Sequence, residues 1–250
     1  MLKKMRVKLQ NPVLLAKVVD IISELITEVK IKVNEFGMSI NAIDPANVSM
    51  MGFRIPKSAF SEFEVGKESL GINLDNLKQI LKRCGSGSAL IIEKKENMLN
   101  IQIQDKIKRN FTLSLIEIEG EDIDFHEKES RMEFSSRVEI NSAELIASIE
   151  DCAVVADACS FVVKEGRFIV EAKSINSAMS EFSENEAKIE GENSRGKYSL
   201  EYLSKFMRGA KLCDKTVLRF AQDHPLKMEF RSTGMELDFI LAPRVEEIDD

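Results

Sequence analysis

The strongest constraint on this chain is a weak internal repeat. Around Gly37 it reads Lys32-Val33-Asn34-Glu35-Phe36-Gly37-Met38-Ser39-Ile40, and 129 positions later, around Gly166, it reads Phe161-Val162-Val163-Lys164-Glu165-Gly166-Arg167-Phe168-Ile169. Both are two apolar-rich strands about a glycine turn. Each follows a stretch with apolar residues at helical spacing, Pro12 to Leu25 and Ser142 to Ala156. Further on, Leu74, Leu77, Ile80 and Leu81 return as Leu200, Leu203, Phe206 and Met207, offset by 126. An offset drifting between 126 and 129 is what a duplicated domain with small loop insertions produces.

The order of elements supports duplication. The first helix is expected from Asn11-Pro12, with Asn11 as cap and Pro12 in the first turn. A strand pair about Gly37 follows, then 42–56, where Pro45 marks a turn and Pro56 a strand end. Asn73 or Asp75 opens a helix that ends at Cys84, before the helix stop Gly85-Ser86-Gly87-Ser88. Strands are expected at 89–94, 98–104 and 107–116. In the second half, Ser142 caps a helix reaching residue 155, and strands follow at 161–163, 167–172 and 175–183. Ser199 opens a helix to Leu212, followed by strands at 216–221, 226–232 and 235–241. Residues 117–133 hold too few regular apolar residues for a helix and read as an extended linker. Each half is thus two helices and several antiparallel strands, an α+β pattern in which the helices cover one face of a sheet.

Charge sharpens this picture. The net charge is −7, which by itself argues against nucleic acid. Residues 117–133 hold eight acids against Lys128 and Arg131, a net of −6, and 244–250 hold four acids against Arg244, a net of −3. The remainder of the chain therefore nets +2, so the acidity belongs to a linker and a tail. No apolar run approaches the length of a membrane span, and Met1-Leu2-Lys3-Lys4-Met5-Arg6 leads into no apolar signal region, so neither a membrane partner nor secretion is expected. Cys84, Cys152, Cys159 and Cys213 form no Cys-x-x-Cys pair and have no His at ligand spacing, as in reduced, cytosolic thiols. The sequon Asn47-Val48-Ser49 is read as chance.

Two helices carry like charge in the same slot of the repeat. One holds Lys78, Lys82 and Arg83 against Asp75; the other holds Lys205, Arg208 and Lys211 against Glu201. Spacings of four and three residues put Lys78 with Lys82, and Arg208 with Lys211, on one helix face. A solvated face is the ordinary account of such residues. Recurrence within an acidic chain favours phosphate attraction, which needs no base readout. The leading helix of the first half offers Lys17, offset by Asp20, whereas its counterpart carries Glu144, Glu150, Asp151 and Asp157 and no base. His126 and His224 lack the neighbours of a triad, the Gly85–Ser88 run lacks the Lys-Ser/Thr of a phosphate loop, and the pairs Glu246-Glu247 and Asp249-Asp250 are tail residues. No catalytic, metal or cofactor constellation is expected. Ile118, Ile123 and Phe125 stand apolar within the acidic linker, and 239–243 end in an apolar patch, a pattern that suits docking of a partner peptide.

At this point the residues resemble a family. Asn41-Ala42-Ile43-Asp44-Pro45-Ala46-Asn47-Val48-Ser49, then 71–83, and Leu241-Ala242-Pro243-Arg244-Val245-Glu246 are similar to archaeal and eukaryotic sliding clamps, the proliferating cell nuclear antigen family, along essentially the whole chain. The resemblance implies two similar domains, 1–116 and 135–250, joined by a connecting loop, 117–134. It implies sheets outside and helices inside a ring of three chains that encircles duplex DNA without sequence preference. It implies no enzyme activity and no cofactor. The ring tethers DNA polymerase, ligase and flap nuclease through short peptide motifs and is opened by a clamp loader. By position, the hole-facing residues are Lys17, Lys78, Lys82, Arg83, Lys205, Arg208 and Lys211. The peptide groove takes Ile43, Val48, Ile118, Ile123, Phe125, Pro225, Leu241, Ala242 and Pro243. Ring closure pairs a strand bearing Arg109, Phe111, Leu113 and Leu115 with a neighbour's strand bearing Ser177, Met179 and Glu181, a head-to-tail contact that also covers two sheet edges.

One departure stands out. Family members place bases on the first helix of the second domain, where this chain has Ala147, Glu150 and Val154. The resemblance favours a homotrimer; the alternative is a heterotrimer in which a paralogous chain supplies the missing bases. The resemblance implies a cytoplasmic, nucleoid-associated setting if the chain is archaeal and a nuclear one if it is eukaryotic. The alternative function is a peptide-binding adaptor that does not encircle DNA.

Overall fold

The repeat in the sequence is a repeat of strand order. The structure, a computed structural model, describes residues 5–120, 122–191 and 193–244. In the first half the elements are β1 (Arg6–Leu9), α1 (Val13–Ile22), β2 (Glu28–Asn34), β3 (Gly37–Ile43), β4 (Ser49–Pro56), β5 (Glu62–Glu64), β6 (Glu68–Asn73), α2 (Leu74–Leu81), β7 (Ala89–Lys95), β8 (Met98–Gln104) and β9 (Lys108–Ser114). The linker holds α3 (Phe125–Ser130). The second half runs β10 (Ser136–Asn141), α4 (Ser142–Val155), β11 (Ala158–Lys164), β12 (Arg167–Lys173), β13 (Ser177–Phe182), β14 (Ala187–Gly191), β15 (Ser194–Ser199), α5 (Leu200–Ala210), β16 (Lys215–Phe220), β17 (Leu226–Ser232) and β18 (Met235–Leu241).

Side by side, the strands of the first half run β5-β1-β7-β8-β9 and β4-β3-β2-β6. Those of the second run β14-β10-β16-β17-β18 and β13-β12-β11-β15, the same two orders with each strand replaced by its counterpart. Pairing is antiparallel, with Ile31 opposite Ile40 in one half and Phe161 opposite Val170 in the other. The compact units are not simple consecutive halves. Met1–Pro45, Gly52–Ile123 and Thr233–Glu236 make one; Ala46–Met51, Asp124–Ser232 and Leu237–Asp250 make the other.

Each unit buries its helices by the same rule. In the first, α1 and α2 pack together and bury Leu15, Val18, Val19, Ile21 and Ile22 from one and Leu74, Leu77 and Leu81 from the other. In the second, α4 and α5 pack together and bury Leu145, Ile149 and Cys152 beside Leu203, Phe206 and Met207. The second core is the aromatic one. Phe206 stacks on Phe239 at 4.2 Å between ring centroids, and Phe161 meets Phe168, Tyr198 and Phe220 edge-on. Ile80 is half-buried, unlike its repeat counterpart Phe206.

Several local expectations are corrected. Pro12 itself is the N-cap of α1, in helical conformation, and the Asn11 side chain before it accepts from the Val13 amide at 3.4 Å; α1 stops at Ile22 rather than Leu25. Asn141, not Ser142, caps α4, accepting from the backbone of Ala143 at 2.9 Å and Glu144 at 3.3 Å. Ser142 is buried instead, its hydroxyl 2.9 Å from that of Thr216. Asn73 caps α2, which closes at Leu81. Ser199 occupies the N-cap of α5 without a capping hydrogen bond, and α5 closes at Ala210. The linker is not wholly extended, because α3 forms within it behind an Asp124 cap. Strands β1, β5, β6, β10, β14 and β15 were not anticipated. They are short or partly exposed, and their partners lie far away in sequence. Glu121 and the tail residues Val245 to Asp250, which carry part of the acidic stretches, lie outside the described residues.

The two glycines that announce the repeat are not equivalent. Gly166 sits in its hairpin turn with φ +74°, beside Glu165 at φ +52°, a pair suited to a two-residue primed turn. In the first hairpin Glu35 and Phe36 form the turn, and Gly37 is already paired with Asn34. The hairpins therefore superpose with Phe36, not Gly37, in the place of Gly166. Gly37 is required for another reason: at φ +146° a Cβ would lie 2.1 Å from the carbonyl oxygen of Ile55. Gly37→Ala is expected to lower stability by about 1–3 kcal/mol in urea unfolding. Gly166→Asn is expected to be nearly neutral, because Asn tolerates the left-handed region.

Candidate nucleic-acid, subunit and partner interfaces

In the first unit the basic residues gather where α1 meets α2. Lys17 is exposed on α1, and Lys82 and Arg83 are exposed at the end of α2. Lys78 is half-buried because it reaches back to α1, with Nζ 2.9 Å from Asp20 Oδ1 and 3.1 Å from Ser23 Oγ. Lys82 approaches the same carboxylate at 3.6 Å. Asp20 thus ties the two helices together, a role different from the expected offset of Lys17. Sequence spacing could not reveal it, because the partners are 58 and 62 positions away.

In the second unit α5 presents Lys205, Arg208 and Lys211. Lys205 is held by Glu201 at 2.9 Å and lies 5.4 Å from the centroid of the Tyr202 ring. Arg208 is half-buried and Lys211 exposed. The neighbouring α4 exposes Glu144, Glu150 and Asp151, together with Ala147 and Val154, the last 84% exposed. The asymmetry read from the sequence is therefore an asymmetry of surface, with a basic α5 beside an acidic α4.

The two strands expected to close a ring both lie at sheet edges. β9 ends the order β5-β1-β7-β8-β9, and β13 ends the order β13-β12-β11-β15. On β9, Arg109 and Phe111 are half-exposed while Leu113 points into its own core; Leu115, just beyond the strand, is half-exposed. Arg109 is ion-paired with Asp105. On β13, Ser177 and Glu181 are exposed, Glu181 paired with Arg167, and Met179 is 65% exposed. Ile107 and Ile175, just before the two strands, are also exposed, Ile175 completely.

The residues expected to hold a partner peptide fall into two groups. Ile43, Ile118 and Ile123 in the first unit are half-exposed, as are Val48, Pro225, Ala242 and Pro243 in the second. Phe125 and Leu241 are not surface residues, being 2% and 0% exposed. Both are core anchors that fix the segments carrying exposed neighbours. Asn41 donates to the carbonyl oxygen of Ile123 at 3.3 Å, and the Ala242 amide donates to the carbonyl oxygen of Val48 at 2.9 Å. Tyr198, fully buried, donates its hydroxyl to the carbonyl oxygen of His224 at 2.9 Å and so fixes the loop that presents Pro225. Burial raises the Tyr198 pKa, keeping that donor protonated. Sequence reading missed Tyr198, since only the fold brings it beneath this loop.

Chemistry-bearing residues elsewhere are structurally engaged. His126 lies 3.6 Å from Glu129, and His224 Nδ1 lies 2.9 Å from the carbonyl oxygen of Gln222. Burial, with Asp105 adding, pushes the Cys84 thiol up to about 11, away from nucleophilic use at neutral pH. Ser88 Oγ accepts from the Gly85 amide at 2.7 Å, and the Ser88 amide donates to the Gly85 carbonyl oxygen at 3.1 Å, so the Gly-rich run is a turn beyond the end of α2. Among the described residues no three His, Cys, Asp or Glu side chains gather as a metal site, and no helix is long and apolar enough to cross a membrane.

Comparison with known proteins agrees with this geometry. The sequence profile of the proliferating cell nuclear antigen N-terminal domain matches residues 4–125. A protein of Thermococcus sibiricus named DNA polymerase sliding clamp is 36% identical, over 93% of this chain and 95% of its own length. The protein of that name from Pyrococcus furiosus is 35% identical over the same shares. The crystal structure of proliferating cellular nuclear antigen from Entamoeba histolytica has the same fold, with a TM-score of 0.89 at 24% identity, covering 98% of this chain and all of that one. A relative more than one-third identical along nearly the whole length, with both halves of the fold in place, makes this chain a member of the proliferating cell nuclear antigen family of DNA polymerase sliding clamps.

Proposed function

We propose that three copies of this chain close head to tail into a ring that encircles duplex DNA and tethers replication and repair enzymes to it, as a scaffold and not as an enzyme. The observation that carries this reading is the pair of open edge strands, β9 of seven residues and β13 of six, one in each half of the duplicated chain. An unpaired edge of that length is a template for another strand, and pairing β9 of one copy with β13 of the next satisfies both. Exposed Ile107, Ile175 and Met179 beside those edges support burial there. The linear division into 1–116, 117–134 and 135–250 is our reading of the duplicated domains and their connector.

DNA is guided by Lys17, Lys78, Lys82, Arg83, Lys205, Arg208 and Lys211. Two of these already share Asp20 and one is held by Glu201, so part of this charge is neutralised within the fold. A ring needs no more. Phosphate contacts weaken steeply with salt, whereas a closed ring holds by linkage. The acidic face of α4 adds no grip, and a paralogous chain carrying bases there would supply it; the open edges are equally compatible with three identical copies. The archaeal relatives favour a nucleoid setting. Polymerase, loader, ligase and flap nuclease reach the clamp through short peptides seated on Ile43, Ile118 and Ile123 of the first unit and on Val48, Pro225, Ala242 and Pro243 of the second. Phe125 and Leu241 support that surface from beneath.

Three outcomes are expected. Loaded on circular DNA, the protein stays bound through a moderate-salt wash and leaves when the circle is cut; equal retention on cut and uncut DNA refutes encirclement. In sedimentation equilibrium the purified chain has the mass of about three chains, and Met179→Glu, which places a carboxylate at the proposed contact, shifts it to monomer; a wild-type monomer instead favours an assembly that needs a paralogue, or an adaptor. Ile118→Ala with Pro243→Ala weakens binding of a client peptide while thermal unfolding is unchanged. Leu241→Ala is a core truncation, expected to cost about 2–5 kcal/mol in unfolding measurements.

A further inference from the structure

The acidity of the linker has a use beyond solvation, because two of its carboxylates are ends of ion pairs, one in each unit. In the first unit Asp122 lies 3.4 Å from Lys30 Nζ and 3.1 Å from Lys32 Nζ, both on β2, and Lys30 also donates to the carbonyl oxygen of Gly120 at 2.8 Å. In the second unit Glu129, on α3, is paired with Lys227 of β17. The two attachments differ in burial. The Asp122 side chain is 52% exposed, whereas that of Lys227 is 7% exposed.

Lys227 is the one buried lysine among the described residues. Its second carboxylate neighbour, Glu229 at 3.3 Å, is itself held by Arg219 at 2.7 Å and Arg231 at 3.3 Å. Burying a lysine is costly, and an apolar side chain of similar volume serves stability as well or better. The charge therefore calls for an account other than stability. It lies in α3, which has six residues, too few to hold a helix alone. Its tertiary anchors are the buried Phe125 ring at one end and Glu129 on Lys227 at the other.

We propose that Lys227 is a positioning residue for the partner-binding segment: through Glu129 it keeps α3 and the end of the linker docked, while the exposed Asp122–Lys30/Lys32 catch lets Asp122 and Ile123 yield to an incoming peptide. The proposal deepens the peptide-binding reading above and rests on it. Exposed ion pairs are screened by salt and weak, whereas a desolvated pair resists screening. The linker is then a strap with one fixed end and one releasable end. The depressed pKa of Asp122, held down by Lys32 and Lys30, keeps the catch charged at neutral pH.

Hydrogen exchange on the full-length protein tests both ends. Raising salt to about 1 M, where the screening length is ~3 Å, is expected to speed amide exchange at Asp122 and Ile123 and leave 125–130 unchanged. Lys30→Gln with Lys32→Gln reproduces the high-salt pattern at low salt. Lys227→Met, or Glu129→Gln if that variant folds poorly, removes protection from 125–130 at either salt without altering exchange in β11. It also weakens binding of a synthetic helical-turn peptide with apolar anchors at i, i+3 and i+4 by about tenfold, and Lys227→Arg restores both. Unchanged exchange in 125–130 in both Lys227→Met and Glu129→Gln, or salt-independent exchange at Asp122 and Ile123, overturns the proposal. Wild-type protein that fails to bind the peptide overturns the peptide-binding reading instead, and exchange still decides how the strap is held.

Discussion

A strand with one open edge exposes a row of backbone donors and acceptors, and much of this chain's architecture follows from which edges are closed internally. The open side of β6 is taken by the start of the linker, where the Ile116 amide donates to the carbonyl oxygen of Gly71 at 3.0 Å. The approach is so close that a Cβ on Gly71 would lie 2.1 Å from the Ile116 carbonyl oxygen, which is why a glycine interrupts β6. At β15 the Arg244 amide donates to the carbonyl oxygen of Lys197 at 2.7 Å, and the Asp223 amide to that of Arg195 at 2.8 Å. β9 and β13 have no such cover described, and they carry exposed or half-exposed apolar residues. An edge closed from within belongs to the fold, and the proposed ring uses two of the edges left open, β9 and β13.

Charge follows a similar division. Acids that sequence counting assigns to a solvated linker or to local neutralisation are, in the fold, long-range ties. Asp20 joins α1 to α2, Asp122 joins the linker to β2, and Glu129 joins α3 to β17. Arg244 similarly reaches Asp157 at 2.7 Å, fixing the chain just past Pro243. Lys17, Arg83 and Lys211 stay exposed on the basic helices, as do Glu144, Glu150 and Asp151 on α4. A net charge of −7 is thus compatible with a protein that meets DNA, since position and not total decides what a phosphate encounters.

Helices and long alternating strands were legible in the sequence because their signal is local. Leu74, Leu77 and Leu81 share a face at helical spacing whatever they pack against, and Met98 to Gln104 alternate buried and half-buried as a strand with one face in a core. The short strands β5 and β14 carry no such signal, since their partners, β1 and β10, lie some 50 positions away. Helix α3 was missed for the same reason. Its six residues make sense only with Phe125 buried and Glu129 paired. The hairpin glycines misled in the opposite direction: two glycines looked like one repeated turn, whereas one answers a turn and the other a close approach of Ile55.

The sequence by itself determined the duplication, the helix–strand order of each half, the basic slot shared by α2 and α5 and the absence of bases on α4, because periodicity and charge are properties of neighbouring residues. Motif resemblance added the family. Only the tertiary structure decided which strands are edges, that Phe125 and Leu241 are anchors beneath a surface and not part of it, and that Lys227 is buried against Glu129. Those facts depend on residues brought together across tens of positions, and no local pattern in a chain encodes the desolvation and pairing that such contacts create.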